Sequence, residues 1–136
     1  MIVADANILL SAVLGVRTLY QLDYILDRGV DVSIPAPQIA EARRVLIEKL
    51  TPTPGDVEGV LAQLGQRLRL LEPSTFAAAE VDARARLHER AQSDWPVLAA
   101  ALTFDAAIWS NDRDFFGVGV PVWSTRNIAL AAQGAL

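Results

Sequence analysis

The chain has 136 residues, of which 52% are hydrophobic and 21% are charged, so it is long and apolar enough to fold around a core. It has no cysteine and one histidine, His88, which excludes disulfides, thiolate zinc sites, a cysteine nucleophile and paired-histidine catalysis. The net charge of −4 is unusual for a nucleic-acid-binding protein unless several acids belong to one cation site. We expect a single domain over residues 1–136 that is soluble and cytoplasmic, because no apolar run approaches the roughly 20 residues that span a membrane.

The first half of the chain alternates short apolar runs with helical patterns. The predicted elements are a strand at 2–4, a helix over 7–14, a helix ended by Gly29, a strand over 30–34, a helix opened by Pro37 and, after a loop over 51–56, a helix from Pro54 to about Arg67.

The second half continues the alternation. It predicts a strand over 68–71, a helix over 75–91 capped by Ser74, a helix over 95–103 capped by Ser93 or Asp94, strands over 107–110 and 120–123, and a helix over 125–133. Such alternation indicates an α/β sandwich with a mainly parallel sheet. Ligands of such sheets bind beyond the carboxyl ends of the strands, so functional residues are expected there.

Carboxylates are concentrated near that edge of the predicted sheet. Asp5 directly follows the first strand and Asp112 follows the fourth, so both belong to the same edge. Glu41 lies one turn into the helix after the second strand. Asp94 stands at the start of the helix that precedes the fourth strand, and its spacing alone does not assign it to an edge.

Each acid also has an ordinary structural interpretation. Asp94 can be a helix N-cap, Asp112 or Asp114 can form an Asx-turn, and Glu41 suits the first turn of a helix. Asp5 is harder to explain in this way, because it lies between apolar segments and no base precedes Arg17. A buried charge needs a partner, and a metal ion is a good candidate.

A cluster of carboxylates is stabilised by a cation, because the ionised groups repel one another and raise each other's pKa. Hard oxygen ligands select Mg²⁺ or Mn²⁺, which keep open positions for water and phosphate oxygens. Such a site can hydrolyse a phosphodiester without histidine or cysteine.

Four segments in order along the chain resemble the PIN domain family. They are Asp5-Ala6-Asn7, Ile39-Ala40-Glu41, the run from Ser93-Asp94 to Leu102, and the run from Ser110-Asn111-Asp112 to Phe115. The last resembles the family's threonine-containing ending, with Ser110 keeping the hydroxyl. Trp95-Pro96 after Asp94 departs from the usual pattern.

The resemblance implies a three-layer α/β/α sandwich and a Mg²⁺- or Mn²⁺-dependent endoribonuclease. It further implies a VapC-type toxin with an RNA substrate, an antitoxin partner and a homodimeric state. The implied catalytic and metal-binding residues are Asp5, Glu41, Asp94 and Asp112, with Asp114 as an accessory metal ligand and Asn7 and Ser110 as supporting groups.

Rival classes fit less well. A haloacid-type phosphatase needs a second aspartate where Asn7 stands and a positioned lysine, and Lys49 is the only lysine. A response-regulator receiver needs a late lysine, which the chain lacks. The alternative that stays open is a non-catalytic PIN-like domain that binds RNA or a protein in the same cleft.

The basic residues are compatible with an RNA substrate. Without the five acids of the implied site, the net charge of −4 becomes +1. Candidates for phosphate contacts are Arg43, Arg44, Lys49, Arg113 and Arg126, whereas Arg84, Arg86 and Arg90 are expected to form surface ion pairs.

Overall fold

A five-stranded parallel sheet forms the centre of the computed structural model, which describes residues 1–49 and 54–133. Its strands are β1 (Ile2–Ala4), β2 (Val32–Pro35), β3 (Arg69–Leu71), β4 (Ala107–Trp109) and β5 (Val122–Trp123). Their order is β3-β2-β1-β4-β5, and every neighbouring pair is parallel. The carboxyl ends of all five strands therefore lie at one edge, as the sequence predicted.

Helices cover both faces of the sheet and build two separate cores. One face carries α1 (Ala6–Leu14), α2 (Val16–Asp27), α3 (Ala36–Lys49), α4 (Pro54–Gly65) and α8 (Ala129–Gln133). The other carries α5 (Pro73–Phe76), α6 (Glu80–Arg86) and α7 (Trp95–Phe104). Along β1, Ile2 and Ala4 join the first core and Val3 joins the second, as the two-residue period of a strand requires. The three-layer α/β/α prediction is confirmed.

Helix α7 is the most deeply buried helix beside β1. Its residues 97–101 are fully buried, and its three alanines let the helix backbone lie close to the sheet. The helix begins at Trp95, whose ring meets Phe76 edge-on with the centroids 5.8 Å apart. The Arg84 guanidinium lies 5.4 Å above the same Trp95 ring. These contacts fix the start of α7 and therefore the position of Asp94.

The predicted helix over 75–91 is wrong, because the chain breaks there into short pieces. A 3-10 turn, Ala77–Ala79, separates α5 from α6, and a 3-10 helix, Glu89–Asp94, follows. Gln92 Nε2 stabilises the break by donating to the carbonyls of Arg84 at 2.8 Å and Leu87 at 3.0 Å. Leu87 is extended and buried in the second core, so packing overrides the helical pattern.

Smaller differences concern the ends of elements. Glu72, not Ser74, occupies the N-cap position of α5. The last helix begins at Ala129 rather than at 125, after a turn in which Asn127 Oδ1 accepts a 2.8 Å hydrogen bond from Ser124 N. The other predicted strands and helices are present with ends shifted by two residues or fewer. Residues 51–53 of the predicted loop lie outside the described residues.

The helices within the described ranges are short or polar by the standard of a membrane span. No single helix there is both long and apolar enough to cross a bilayer; α1 and α2 reach that length only as a pair bent by 112°.

Candidate active site

Asp5 is the deepest acid at the carboxyl edge of the sheet, with 5% of its surface exposed. It occupies the N-cap of α1, where its Oδ1 accepts a 3.0 Å hydrogen bond from Ile8 N. Burial raises its pKa, and the charge of Asp112 raises it further, while hydrogen bonds from Ser110 and from the Ile8 and Asn7 backbones lower it. Asp5 thus combines a structural cap with a carboxylate that is costly to ionise.

Ser110 connects Asp5 to Asp112. Its hydroxyl, in a residue that is 1% exposed, donates to Asp5 Oδ2 and accepts a 3.0 Å hydrogen bond from Asp112 N. Asp112 in turn accepts a 2.9 Å hydrogen bond from Asp114 N, which caps the 3-10 helix Arg113–Phe115. The ends of β1 and β4 are therefore joined through one buried hydroxyl.

Asp94 lies at the position just before α7, but its side chain makes no capping hydrogen bond. The purely structural interpretation of this residue as an N-cap is therefore not supported. Its pKa is raised to about 6, mainly by burial. Neighbouring negative charges raise the pKa further, and they belong to Asp112, Asp5, Glu41 and Asp114. The other four acids of the predicted set are thus within electrostatic reach of Asp94.

Glu41 is exposed on α3, and a buried neighbour on the same helix fixes that helix against α1. Gln38 is 3% exposed, and its Oε1 accepts a 2.8 Å hydrogen bond from Ala6 N. The sequence interpretation missed Gln38, because nothing in the surrounding sequence indicates that its side chain meets Ala6. Gln38 links the start of α3 to the residue that follows Asp5.

Asp114 is held by an arginine that the sequence interpretation assigned elsewhere. Arg90 donates two hydrogen bonds to Asp114 Oδ1, at 2.9 Å from Nε and 2.7 Å from Nη2. The hydrogen bond from Arg90 lowers the pKa of Asp114, so this acid stays ionised while Asp5 and Asp94 are driven toward protonation. Arg84 and Arg86 do form the expected surface pairs, with Glu80 and Asp82.

The donor set of this edge consists of carboxylate oxygens, which suit a hard divalent cation. Within the described ranges, no three acidic or histidine side chains are gathered closely enough to form a metal site on their own. Mg²⁺ usually takes only one or two carboxylates directly and keeps several waters, so the donor set is compatible with it. Burial is the largest cause of the raised pKa of both Asp5 and Asp94. Repulsion by the neighbouring carboxylates, which the sequence analysis emphasised, is a smaller cause.

The remaining predicted residues differ in whether their side chains form ion pairs. Asn7 is exposed near the start of α1, and His88 is exposed, as expected for a residue outside the site. Arg43 and Arg44 pair with Glu58 and Glu48 and are therefore less available for phosphate than the sequence suggested. By contrast, Arg113 and Arg126 are exposed without an ion-pair partner among residues 1–49 and 54–133.

The chain is a three-layer α/β/α sandwich with a parallel sheet and acids that follow its central strands. Residues 3–133 match the family model of the PIN domain, so this chain belongs to the PIN domain family. PIN domains usually use divalent metal ions. A comparison with curated protein sequences found no match.

Solved structures share the fold over almost the whole chain. FitAcB from Neisseria gonorrhoeae has a TM-score of 0.66 at 21% identity, covering 93% of this chain and 99% of its own. VapBC2 from Rickettsia felis, bound to a promoter DNA fragment, has a TM-score of 0.69 at 15% identity over 91% and 98%. A toxin-antitoxin complex from Klebsiella pneumoniae has a TM-score of 0.69 at 16% identity over 92% and 98%. These similarities concern the fold.

Proposed function

We propose that this PIN domain is a Mg²⁺- or Mn²⁺-dependent endoribonuclease that acts as the toxin of a toxin-antitoxin pair. The observation that carries the proposal is the convergence of negative charge on Asp94. Four other acids raise its pKa, in addition to burial, at the edge of a parallel sheet where ligands bind. Keeping Asp5, Asp94 and Asp112 as partly buried neighbouring acids without a cation would be unfavourable, so a cation site is the simplest explanation.

The residues that would hold the cation are Asp5, Glu41, Asp94 and Asp112. When bound, the ion would polarise a phosphate oxygen and lower the pKa of a water molecule. Asp114 is proposed in an accessory role, because Arg90 already neutralises part of its charge. Ser110 and Asn7 support the site from the ends of β4 and β1.

The chain's own groups have distinct tasks in this proposal. Ser110 keeps Asp5 and Asp112 in a fixed relation, and the Asp5 cap holds α1 against the strand end. Asp94, which makes no hydrogen bond with the described residues, is free to turn toward a cation or accept a proton. The only histidine, His88, has no task here, so acid–base chemistry is left to carboxylates.

Cleavage of a generic single-stranded RNA by the purified protein, with and without EDTA, tests the activity. We expect cleavage that needs Mg²⁺ or Mn²⁺ and leaves a 5′-phosphate, whereas His88→Ala has little effect. Cleavage that survives EDTA, or that leaves a 2′,3′-cyclic phosphate, would contradict the metal mechanism. RNA binding without any cleavage would instead favour the non-catalytic alternative.

The partner proposals rest on the complexes with similar folds, which include toxin-antitoxin assemblies. An antitoxin protein is expected to be encoded next to this chain and to co-purify with it. Co-expression with that neighbouring reading frame should abolish the RNA cleavage. Light scattering of the purified chain tests the proposed homodimer, and a monomeric mass would contradict it.

A further inference from the structure

The arginines of the chain differ in what their guanidinium groups contact. Seven form ion pairs, namely Arg43, Arg44, Arg67, Arg69, Arg84, Arg86 and Arg90. Arg28 stacks on the Tyr24 ring and donates to the Tyr24 carbonyl. In the part of the chain that the structure describes, Arg17, Arg113 and Arg126 have neither an ion pair nor a hydrogen bond through their side chains. These three retain all their donors for an external acceptor.

Two of these arginines line the same cleft. Arg17 and Arg126 form it together with Thr18, Asn111 and Thr125, and its volume is about 520 Å³. We call it the Arg17–Arg126 cleft. Asn111 immediately precedes Asp112, so the cleft borders the candidate active site. It carries two positive charges, and none of its five residues is acidic.

Thr125 presents a hydrogen-bond donor to this cleft. Its Oγ1 accepts hydrogen bonds from Trp109 Nε1 at 3.2 Å and from Asn111 Nδ2 at 3.1 Å. A hydroxyl has two acceptor positions and one donor, so both acceptor positions are used and the hydrogen remains to be donated. The backbone fixes this arrangement, because Thr125 N donates to Asn111 Oδ1 at 2.8 Å.

Thr18 adds a second hydroxyl. The residue is 6% exposed, lines the cleft and makes no side-chain hydrogen bond with any described residue. The Thr18 hydroxyl is not among the fully buried, unpaired side-chain oxygens of the described residues, so it reaches solvent and keeps its hydrogen for an acceptor supplied by a ligand. Two free guanidinium groups and two hydroxyls therefore line one space.

We propose that the Arg17–Arg126 cleft binds a backbone phosphate of a single-stranded RNA, next to the phosphate at the carboxylate site. A phosphodiester offers only acceptor oxygens and a full negative charge, which matches this set of donors. The assignment rests on the proposed ribonuclease function for the identity of the strand, but the cleft itself is built from residues outside the carboxylate cluster.

The path of the strand is indicated by a neighbouring cleft. A groove of about 580 Å³ shares Arg17 and Thr18 with the first cleft and includes Asn7, two residues after Asp5. The two clefts share Arg17 and Thr18, and they are lined by Asn7 and Asn111, which lie two residues after Asp5 and one residue before Asp112 in the chain. A strand held at Arg17 and Arg126 is consequently placed beside Asp5 and Asp112.

The test measures binding of a fluorescein-labelled oligouridylate by anisotropy over a series of salt concentrations. EDTA is present, so cleavage that depends on a divalent cation is suppressed. The double variant Arg17→Gln/Arg126→Gln is compared with Arg67→Gln/Arg69→Gln, which removes the same charge from ion-paired arginines. Melting temperatures show that both variants are folded.

We expect the Arg17→Gln/Arg126→Gln variant to weaken RNA binding about tenfold or more, and its salt slope to fall by about 0.7 for each phosphate that it no longer binds. The control should change affinity by no more than about twofold. Equal effects in the two variants would overturn the proposal. So would loss of binding to a labelled polyglutamate peptide with unchanged RNA binding, which would indicate a protein partner.

Cleavage assays separate this proposal from the proposed function. If the wild type never cleaves RNA yet binds it through Arg17 and Arg126, the ribonuclease proposal fails and the cleft assignment stands. If the wild type cleaves RNA but the double variant keeps its KM, the ribonuclease proposal stands and the cleft assignment fails. If both proposals are right, the double variant has a higher KM and a nearly unchanged kcat, because the cleft binds the substrate and the transition state equally well.

Discussion

Two pairs of acids at the same edge of the sheet differ in how they are held. Asp5 and Asp112, the hydrogen-bonded pair, accept hydrogen bonds from the backbone and are joined through Ser110. Asp94 and Glu41, the open pair, accept no hydrogen bond from the described residues. One pair is therefore part of the fold, whereas the other is present without a structural contact that explains it.

Because only one pair is hydrogen-bonded into the fold, the two pairs allow effects on stability to be distinguished from effects on catalysis. Substitution of the hydrogen-bonded pair changes both the fold and any catalysis, so its effects are hard to interpret alone. Asp94 is repelled by the neighbouring acids and has no compensating hydrogen bond, and Glu41 is exposed, so substitution of either tests chemistry with little structural cost. Single substitutions in each pair should therefore have effects of different kinds.

The largest effect is expected for RNA cleavage by Asp94→Asn. If Asp94 holds the proposed cation, its loss should lower activity by at least about 100-fold, because removing outer residues of metal sites already costs about 10–100-fold. The exposed acid Asp27, at the end of α2, provides the matched control as Asp27→Asn. Equal activity of the two variants in Mg²⁺ would show that Asp94 has no part in the reaction.

The second effect concerns the link within the hydrogen-bonded pair. Ser110→Ala leaves Asp5 Oδ2 and Asp112 N without their buried partner, which should reduce the free energy of unfolding by about 1–3 kcal/mol. Urea denaturation measures the loss, with Ser93→Ala as the control at an exposed serine. A loss no larger than that of Ser93→Ala would mean that the bridge does not stabilise the fold.

A smaller and opposite effect is expected for the stability of Asp94→Asn without metal. The folded-state pKa of Asp94, about 6, lies above its ordinary value of 3.8, so folding favours the protonated acid. Its favourable contribution is full below pH 3.8 and is lost as the pH rises through about 6. The variant should therefore be more stable than the wild type at pH 7.5, by no more than about 1 kcal/mol because solvent screens the site.

Melting temperatures in EDTA at pH 7.5 and pH 4.5 measure this difference. The advantage of Asp94→Asn should shrink at the lower pH, and Mg²⁺ should reverse it by stabilising only the wild type. An advantage that is the same at both pH values would rule out titration of Asp94 as its cause.

The smallest effect concerns Arg90 and Asp114. Arg90→Gln removes the two hydrogen bonds to Asp114 Oδ1, so the pKa of Asp114 should rise back toward its ordinary value. Carboxyl carbon chemical shifts over a pH titration measure the change, with Arg86→Gln as the control. An unchanged titration of Asp114 would show that the pair is not formed in solution.

The sequence predicted the residues whose position follows from strand order. Asp5 and Asp112 directly follow strands of a parallel sheet, and this alone places them at one edge. Asp94 could not be placed in this way, because its position depends on a 3-10 helix and on Trp95 packing against Phe76. Local pattern does not encode such contacts.

Side-chain partners distant in sequence were equally beyond prediction. Gln38 meets Ala6 across 32 residues and Arg90 meets Asp114 across 24, so neither spacing carries a periodic signal. The ion pairs of two phosphate candidates were not predicted either: Glu48 on the same helix pairs with Arg44, and Glu58 on another helix pairs with Arg43. Arg17 was overlooked because it lies far from Arg126 in the sequence, and only the folded chain brings both to one cleft.

The central position of β1 has a consequence for synthesis on the ribosome. Strand β1 is made before the other four strands, and it pairs on one side with β2 and on the other with β4. Until the chain has been made past Asp112, Asp5 lacks the serine that it binds and the acid beside it. A chain made as far as Asp94 therefore has three of the four proposed ligands but lacks Ser110 and Asp112, so the link between the ends of β1 and β4 forms only after Asp112 has been added.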